Sequence, residues 1–377
     1  MHKKTKIVFV INNFSVGGVE KLLFDIIYYL DKEKFDIRIV TVFGSGPLEA
    51  SFRDLGIPIY FVGISESFRK KLPRDFIWTI PTFFIILRVA FLFIKSKPDV
   101  VVSSLFQADV MGIIAAKLVR IKKRIIIQHD VVRFQEFVYM VKRDFSIEFA
   151  TNIVAVSETV KKFLVEYFKA DSNKVLTILN GVDFNKFKSA GRVLPEVGAP
   201  VIGVIGRLEE IKGQIYLLEA LKILKKKNGL NPHVLIGGEG EKRAVLEKYV
   251  FENGLLGVEF LGAIEDVPGF LSKIDILVVP SESEGFGLVV LEGMVSGKVV
   301  IASDIEVMHE LIKDGHNGLL FKSKNPESLA GVLTQVLNNK EMCVRLQEGA
   351  LSHIKQNEKI FNISEVAKTY QQLFLAK

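Results

Sequence analysis

The 377-residue chain has a single cysteine, Cys343. An internal disulfide is therefore excluded, a thiol-based metal site lacks its second ligand, and the usage fits a reducing compartment. No HExxH, no paired Cys and His at ligand spacing, no GxSxG and no P-loop occurs. Metalloprotease, serine hydrolase and P-loop NTPase readings thus lack their residues. There is no DxD at a strand end. Helix-turn-helix, zinc-finger and RNP signatures are also missing, so nucleic acid is not an expected partner. The chain shows no repeat at a solenoid period and no low-complexity tract. Its basic start, MHKKTKIVFVINNF, has only Ile7 to Ile11 as an apolar run and no small-residue cleavage pattern. It reads as a first strand, not a signal peptide, and a cytoplasmic location is expected.

What the chain does have is apolar mass. Hydrophobic residues make up 49%, mean hydropathy is +0.30, and the length suits two or three domains. The net charge of +7 is unevenly placed: residues 1–190 carry 29 Lys+Arg against 19 Asp+Glu, the remainder 21 against 24. The whole excess sits in the N-terminal half, which suits an anionic partner such as a membrane surface or a phosphate-bearing acceptor.

Short β-branched runs alternate with helical patterns throughout, which argues for parallel α/β sheets. Ile7–Ile11, Ile37–Phe43, Ile57–Val62, Asp99–Ser103, Arg124–Ile127, Ile153–Val156 and Val175–Leu179 read as strands of a first domain, residues 1–185. Ser157 is a good N-cap for the helix that follows it. Residues 186–200, with Gly, Pro and no clear periodicity, read as a linker. A second series over 201–362 has strands at Val201–Ile205, His233–Ile236, Val258–Leu261, Ile276–Val279 and Val299–Ala302. The tail, Ile363 to Leu375, reads as a helix.

Phe68 to Lys97 stands apart. A basic entry, Arg69-Lys70-Lys71, precedes a 19-residue run, Phe76 to Ile94, of near transmembrane length. Pro81 and Arg88 interrupt it, and Arg88 near the middle would cost about 2.5–3.5 kcal/mol in a bilayer. Three readings stay open: a helix packed on the sheet with one face at an interface, a buried helix, or a span. With Trp78, several Phe and basic flanks, the first would dock on anionic lipid.

The chemistry gathers at strand ends, where open parallel sheets bind ligands. Asp275 to Gly297 reads as strand, Gly-containing loop and helix N-terminus, a geometry that offers bare N–H groups and a positive dipole end to an anion. Glu284 and Glu292 flank it and could accept bonds from ligand hydroxyls; the plain alternative is a turn with two solvated glutamates. Arg207 and Lys212 lie in the loop after Ile205, Gly237 to Gly240 after Ile236, and Leu261 to Ile264 close another strand. Singly each is weak; four at successive strand ends point to a nucleotide-sugar site. In the first half, Gly17-Gly18 opens a helix and His129-Asp130 ends a strand, either of which is also met as plain structure.

Together these residues resemble the retaining glycosyltransferases of family 4, over nearly the whole chain. The strongest motif is Glu284-GFGLVVL-Glu292. Gly17-Gly18-Val19-Glu20, His129-Asp130, Asn180-Gly181-Val182-Asp183, Gly206-Arg207 with Lys212-Gly213, Gly238-Glu239-Gly240 and Asn317-Gly318-Leu319-Leu320 support it. The resemblance implies the GT-B fold, two Rossmann-like domains facing a central cleft, and no metal requirement. It implies that Arg207 and Lys212 bind the donor diphosphate of a UDP- or GDP-sugar, that Glu292 holds the ribose and that Glu284 holds the sugar. Amides over Phe286, Gly287, Leu288 and Val289, with Gly285 beside them, would meet phosphate and sugar. Gly238, Gly240, Ala263 and Ile264 would approach the nucleotide, Gly17 and Gly18 the phosphates or acceptor, and His129 the sugar near its reacting carbon. The final helix, 363–377, would pack back on the first domain. The implied activity is sugar transfer to a lipid-linked or lipopolysaccharide-type acceptor. Alternatives are a GT-B epimerase or phosphorylase, or a binding protein without turnover. Two departures stand out: Glu306 to His309 read EVMH where the family often has Gly-Gly, and Val299 stands where Pro is common.

Overall fold

The computed structural model describes residues 3–64, 80–131, 137–188 and 200–376. The chain divides into two compact units, residues 1–180 with 363–377, and residues 181–362.

The first unit runs β1 (Thr5–Ile11), α1 (Gly18–Tyr29), β2 (Phe35–Thr41), α2 (Glu49–Asp54), β3 (Ile59–Phe61), α3 (Ile80–Ser96), β4 (Val100–Ser104), α4 (Phe106–Leu118), β5 (Lys123–Gln128), α5 (Phe137–Phe149), β6 (Asn152–Ala155), α6 (Glu158–Glu166) and β7 (Val175–Thr177). The strands form one parallel sheet in the order β3-β2-β1-β4-β5-β6-β7. Its central strands are buried along their length, all five residues of β4 among them, because helices cover both faces of a parallel sheet. Ser157 caps α6 through a bond from the Val160 N–H at 3.0 Å.

The second unit runs α7 (Phe184–Lys188), β8 (Ile202–Ile205), α8 (Gln214–Asn228), β9 (Val234–Gly237), α9 (Arg243–Glu252), β10 (Val258–Gly262), α10 (Val267–Leu271), β11 (Ile276–Val279), α11 (Leu288–Val295), β12 (Val299–Asp304), β13 (Leu319–Lys322), α12 (Pro326–Asn338), α13 (Lys340–Gln356) and α14 (Glu358–Phe361). Its parallel sheet has the order β10-β9-β8-β11-β12-β13. A core of Leu217, Leu221, Ile236, Val278, Ile301 and Leu333, among others, lies between sheet and helices.

The final helix, α15 (Ile363–Leu375), belongs to the first unit. Phe374 is buried, with its ring centroid 6.1 Å from Phe9 and 6.2 Å from Phe35. The Lys123 ammonium caps the helix end by donating to the carbonyls of Leu373 and Ala376, a cation where the helix dipole is negative.

Three expectations need correction. The supposed linker begins with a helix: Phe184 to Lys188 is α7, its Phe184 and Phe187 buried in the second unit. The five-residue segment is too short for periodicity to reveal it, and 189–199 lie outside the described residues. The division between units falls earlier, after Asn180. For α3, neither the buried helix nor the span holds. Among the described residues no helix is long and apolar enough to cross a membrane. Instead Ile85, Val89 and Phe93 are buried while Phe83, Phe84, Leu87, Phe91 and Ile94 are exposed. Pro81 sits in the first turn, where its missing N–H costs nothing. Arg69, Lys70, Lys71 and Trp78 fall outside the described residues.

Because α15 fills part of the first unit's core, Phe374→Ala should destabilise that unit by about 3–5 kcal/mol. Denaturant unfolding followed by a probe on residues 3–64 checks it.

Candidate functional site

The order of the second sheet reverses between β8 and β11, and ligands of open α/β sheets bind beyond the strand ends at such a reversal. The loop after β8 passes Gly206 and Arg207 and tightens into a 3-10 turn over Glu210–Lys212. Gly213 then caps α8 in the left-handed region, with φ 64°. A Cβ on Gly213 would lie 2.1 Å from the Pro280 carbonyl oxygen. The glycine is required twice, by its backbone angle and by the backbone beside it. Two bonds hold this junction: the Glu282 N–H donates to the Ile211 carbonyl at 2.8 Å, and the buried Gln214 amide donates to the Arg207 carbonyl at 2.9 Å.

The junction brings Lys212 to Glu284. The ammonium stands 2.6 Å from Glu284 Oε1, and both side chains are largely buried, at 22% and 17% exposed. Ser281 Oγ donates to the same oxygen at 2.7 Å. The two residues, 72 apart in the chain, form one ion pair at the mouth of the sheet.

Past Glu284 the chain enters α11. Gly287 caps it with φ 93° and no side-chain cap. The leading amides of the helix, at Leu288 and Val289, belong to the first turn, where N–H groups lack an intrahelical acceptor and the dipole is positive. Phe286 is buried, its ring 6.5 Å from that of Phe361, so its side chain anchors the loop and only its amide can face a ligand. Gly285 is buried, and Glu292, the fifth residue of α11, is half-buried.

The other expected residues separate. Arg207 is 68% exposed and pairs with Glu209 at 2.6 Å, so the two arms of the expected Arg207–Lys212 clamp have different partners. Gly238 and Gly240 have a packing reason to be glycine: a Cβ on each would fall 1.9 Å from the Gly206 oxygen and 2.3 Å from the Leu208 oxygen. The Gly238 N–H donates to the Gly262 carbonyl at 2.6 Å and the Gly206 N–H to the Gly237 carbonyl at 3.0 Å, so three strand ends are tied together by backbone. Beyond them Ala263 is exposed and Ile264 half-buried.

One group beside the site escapes a sequence reading. Glu282 accepts from Tyr216 Oη at 2.6 Å and pairs with Lys324 at 2.5 Å. Burial alone would raise its carboxyl, but the bonds from Lys324 and Tyr216 outweigh it and hold the group below the usual range. The bond to Glu282 pushes the Tyr216 phenol up to about 12. Nothing in the spacing of these three residues reveals the cluster, which exists only once strand order is known.

In the first unit Gly17 caps α1 and Gly18 begins it, again without a side-chain cap. His129 follows β5, and its Nε2 lies 2.9 Å from Ser104 Oγ at the end of β4. Desolvation lowers His129 to about 3, so the ring is neutral near pH 7 and one nitrogen can donate while the other accepts. The Gln128 amide donates to the Asp130 carbonyl at 2.9 Å and to its carboxylate at 2.7 Å, fixing the turn. Ser104 also went unsuspected; its place beside His129 follows from the parallel pairing of β4 with β5.

Two family models match in succession: Glycosyltransferase Family 4 over residues 16–186 and Glycosyl transferases group 1 over residues 186–353. The chain belongs to glycosyltransferase family 4. Among the proteins this chain is similar to is an uncharacterized glycosyltransferase of Methanocaldococcus jannaschii, 33% identical over 224 residues. That match spans 59% of each chain, so this protein covers little more than half the relative's length. The UDP-Gal:alpha-D-GlcNAc-diphosphoundecaprenol alpha-1,3-galactosyltransferase of Escherichia coli is 27% identical over 90% of this chain and 89% of its own. Among solved structures, Anabaena HepE in complex with UDP superposes with a TM-score of 0.79 at 20% identity, covering 98% of this family 4 chain and 99% of HepE. That likeness shows the GT-B fold.

Two outcomes follow. Gly213→Ala should cost the second unit upwards of about 2 kcal/mol, since it adds left-handed strain to a backbone clash; urea denaturation measures it. His129 should keep its neutral ring from pH 8 down to pH 5, seen as invariant imidazole NMR shifts. By the same depression, its contribution to stability is present above the ordinary histidine value and is lost as pH falls towards the folded one.

Proposed function

We propose that the protein transfers a sugar, with retention of configuration and without a metal ion, from a nucleotide-sugar to a lipid-linked or polysaccharide-type acceptor at the cytoplasmic membrane face. The observation that carries this reading is the Lys212–Glu284 pair at the strand reversal, 2.6 Å across, next to a glycine-capped helix N-terminus. An anion and a polyhydroxylated group are the ligands such a pair can divide between them.

The roles follow from charge. Breaking the sugar–phosphate bond leaves negative charge on the diphosphate and positive character on the anomeric carbon. Lys212 and the amides of Gly287 to Val289 would stabilise the departing diphosphate electrostatically, with Arg207, whose exposed side chain can turn inward, as a second cation. Lys212 and Ser281 both engage Oε1 of Glu284; Oε2 is assigned to donor-sugar hydroxyls. Glu292 is assigned to the ribose. His129, held neutral and oriented by Ser104, would accept from or donate to the sugar without adding a charge beside the forming cation. Gly17 and Gly18 are assigned to the phosphates or acceptor.

A uridine donor is favoured by the UDP in the HepE structure and the UDP-Gal in the name of the E. coli relative. The diphosphoundecaprenol in that name favours a lipid-linked acceptor. The basic N-terminal half and the exposed apolar face of α3 favour peripheral contact with an anionic membrane.

A thermal-shift screen of UDP-, GDP- and ADP-sugars with and without EDTA should give stabilisation by one base in both conditions. Glu284→Ala or Lys212→Ala should then lower turnover by about 10²–10³ while the fold survives, as circular dichroism reports. Full activity in both variants would sink the site assignment.

A further inference from the structure

α3 carries two opposed stripes. Ile85, Ile86, Val89, Ala90 and Phe93 are buried and pack into the first unit's core. Phe83, Phe84, Leu87, Phe91 and Ile94, at the same three-and-four spacing, stand 44–59% exposed. An apolar stripe left exposed on such a helix marks a candidate interaction surface.

The outer stripe runs beside a groove of about 470 Å³ between α3 and the edge strand β3. Three cations line it: Arg38, Arg88 and Lys95. Each is positioned. Arg88 donates to the Val62 carbonyl at the end of β3 at 3.5 Å. Lys95 lies 4.4 Å from the centre of the Phe91 ring, and Arg38 pairs with Asp36 at 3.3 Å. Asp36 offsets one of the three, so the groove stays positive. Tyr60 and Phe61, 39% and 52% exposed, complete its wall from the sheet edge. A compact anion with an attached hydrocarbon matches this pairing of cationic groove and apolar ridge. A protein partner would need acidic side chains and an apolar patch in the same arrangement. A bilayer of anionic lipid supplies both everywhere on its surface.

We propose that the β3–α3 groove seats the phosphate headgroup of one anionic bilayer phospholipid, with the outer stripe of α3 lying among the acyl chains. The inference deepens the membrane contact of the proposed function and rests on that contact, not on the sugar-transfer site. The two can fail separately.

The test uses the full chain and vesicles of phosphatidylcholine with or without phosphatidylglycerol, read by co-sedimentation. The wild type should bind the anionic vesicles and lose binding as salt rises. Arg38→Gln/Arg88→Gln/Lys95→Gln should bind on the order of a hundredfold more weakly, each basic group near such a surface counting for about a factor of five. The charge-matched Lys225→Gln/Lys226→Gln/Lys227→Gln, on the other unit, should change binding less than about threefold. Leu87→Asn/Phe91→Asn should abolish stable binding while melting within a few degrees of wild type. Equal losses in the two charge variants would overturn the groove and leave only bulk attraction. So would wild-type binding in the groove variant, or equal binding to uncharged vesicles. A dimer in light scattering that Leu87→Asn/Phe91→Asn converts to monomer would give the face to a second copy and overturn the lipid assignment. Thermal stabilisation by UDP, measured on the same variants, reports on the donor site alone: its absence in the wild type would count against the proposed reaction and leave the vesicle result standing.

Discussion

A backbone contact governs the second unit's site. The Pro280 carbonyl at the end of β11 lies where a side chain on residue 213 would be, and the Ile211 carbonyl takes the Glu282 N–H. With the two strand exits locked at that separation, Lys212 reaches Glu284 at 2.6 Å. Were the exits further apart, the ion pair would become solvated and weak, as exposed pairs are. The other glycines repeat the device, since Gly238 and Gly240 let two loops share backbone-to-backbone contact. What resembles a phosphate-binding glycine pattern is also the means by which three strands end at one level.

The first unit solves the same problem with side chains. Ser104 and His129 meet because β4 and β5 run in parallel register, and Asn12, just past β1, accepts from the Ala108 N–H at 3.1 Å and so ties β1 to α4. Here the reactive candidate is a ring whose charge burial suppresses, whereas in the second unit it is a charged pair that burial strengthens. The two units thus differ in electrostatics, with a neutral hydrogen-bonding ring in one and an ion pair beside a helix end in the other.

Much of this was legible in the sequence, for physical reasons. Buried parallel strands are continuous β-branched runs, so residues 7–11 of β1 and 100–103 of β4 could be read directly, and the strand ends carried the unusual residues. The strand, loop and helix N-terminus over Asp275 to Gly297 were readable because a Gly-containing loop separates two apolar runs. What escaped had no local signal. α5 carries Arg143, buried against Asp109 of α4, and a buried arginine disguises a helix face. α7 is five residues long. The Tyr216–Glu282–Lys324 cluster joins β11's loop to residues on either side of it in sequence, and only the strand order β8-β11-β12-β13 draws them together. The exposed stripe of α3 was half-legible: apolarity on all sides was plain, but which side met the sheet depended on where the helix began.

The placement of α15 bears on synthesis. The first unit's sheet is translated early, yet Tyr370 and Phe374 and the carbonyls that hold Lys123 come after every residue of the second unit. While the ribosome makes residues 181–362, the first unit keeps part of its aromatic core uncovered. The second unit, contiguous in sequence, can close first. A chain so arranged completes its basic half last.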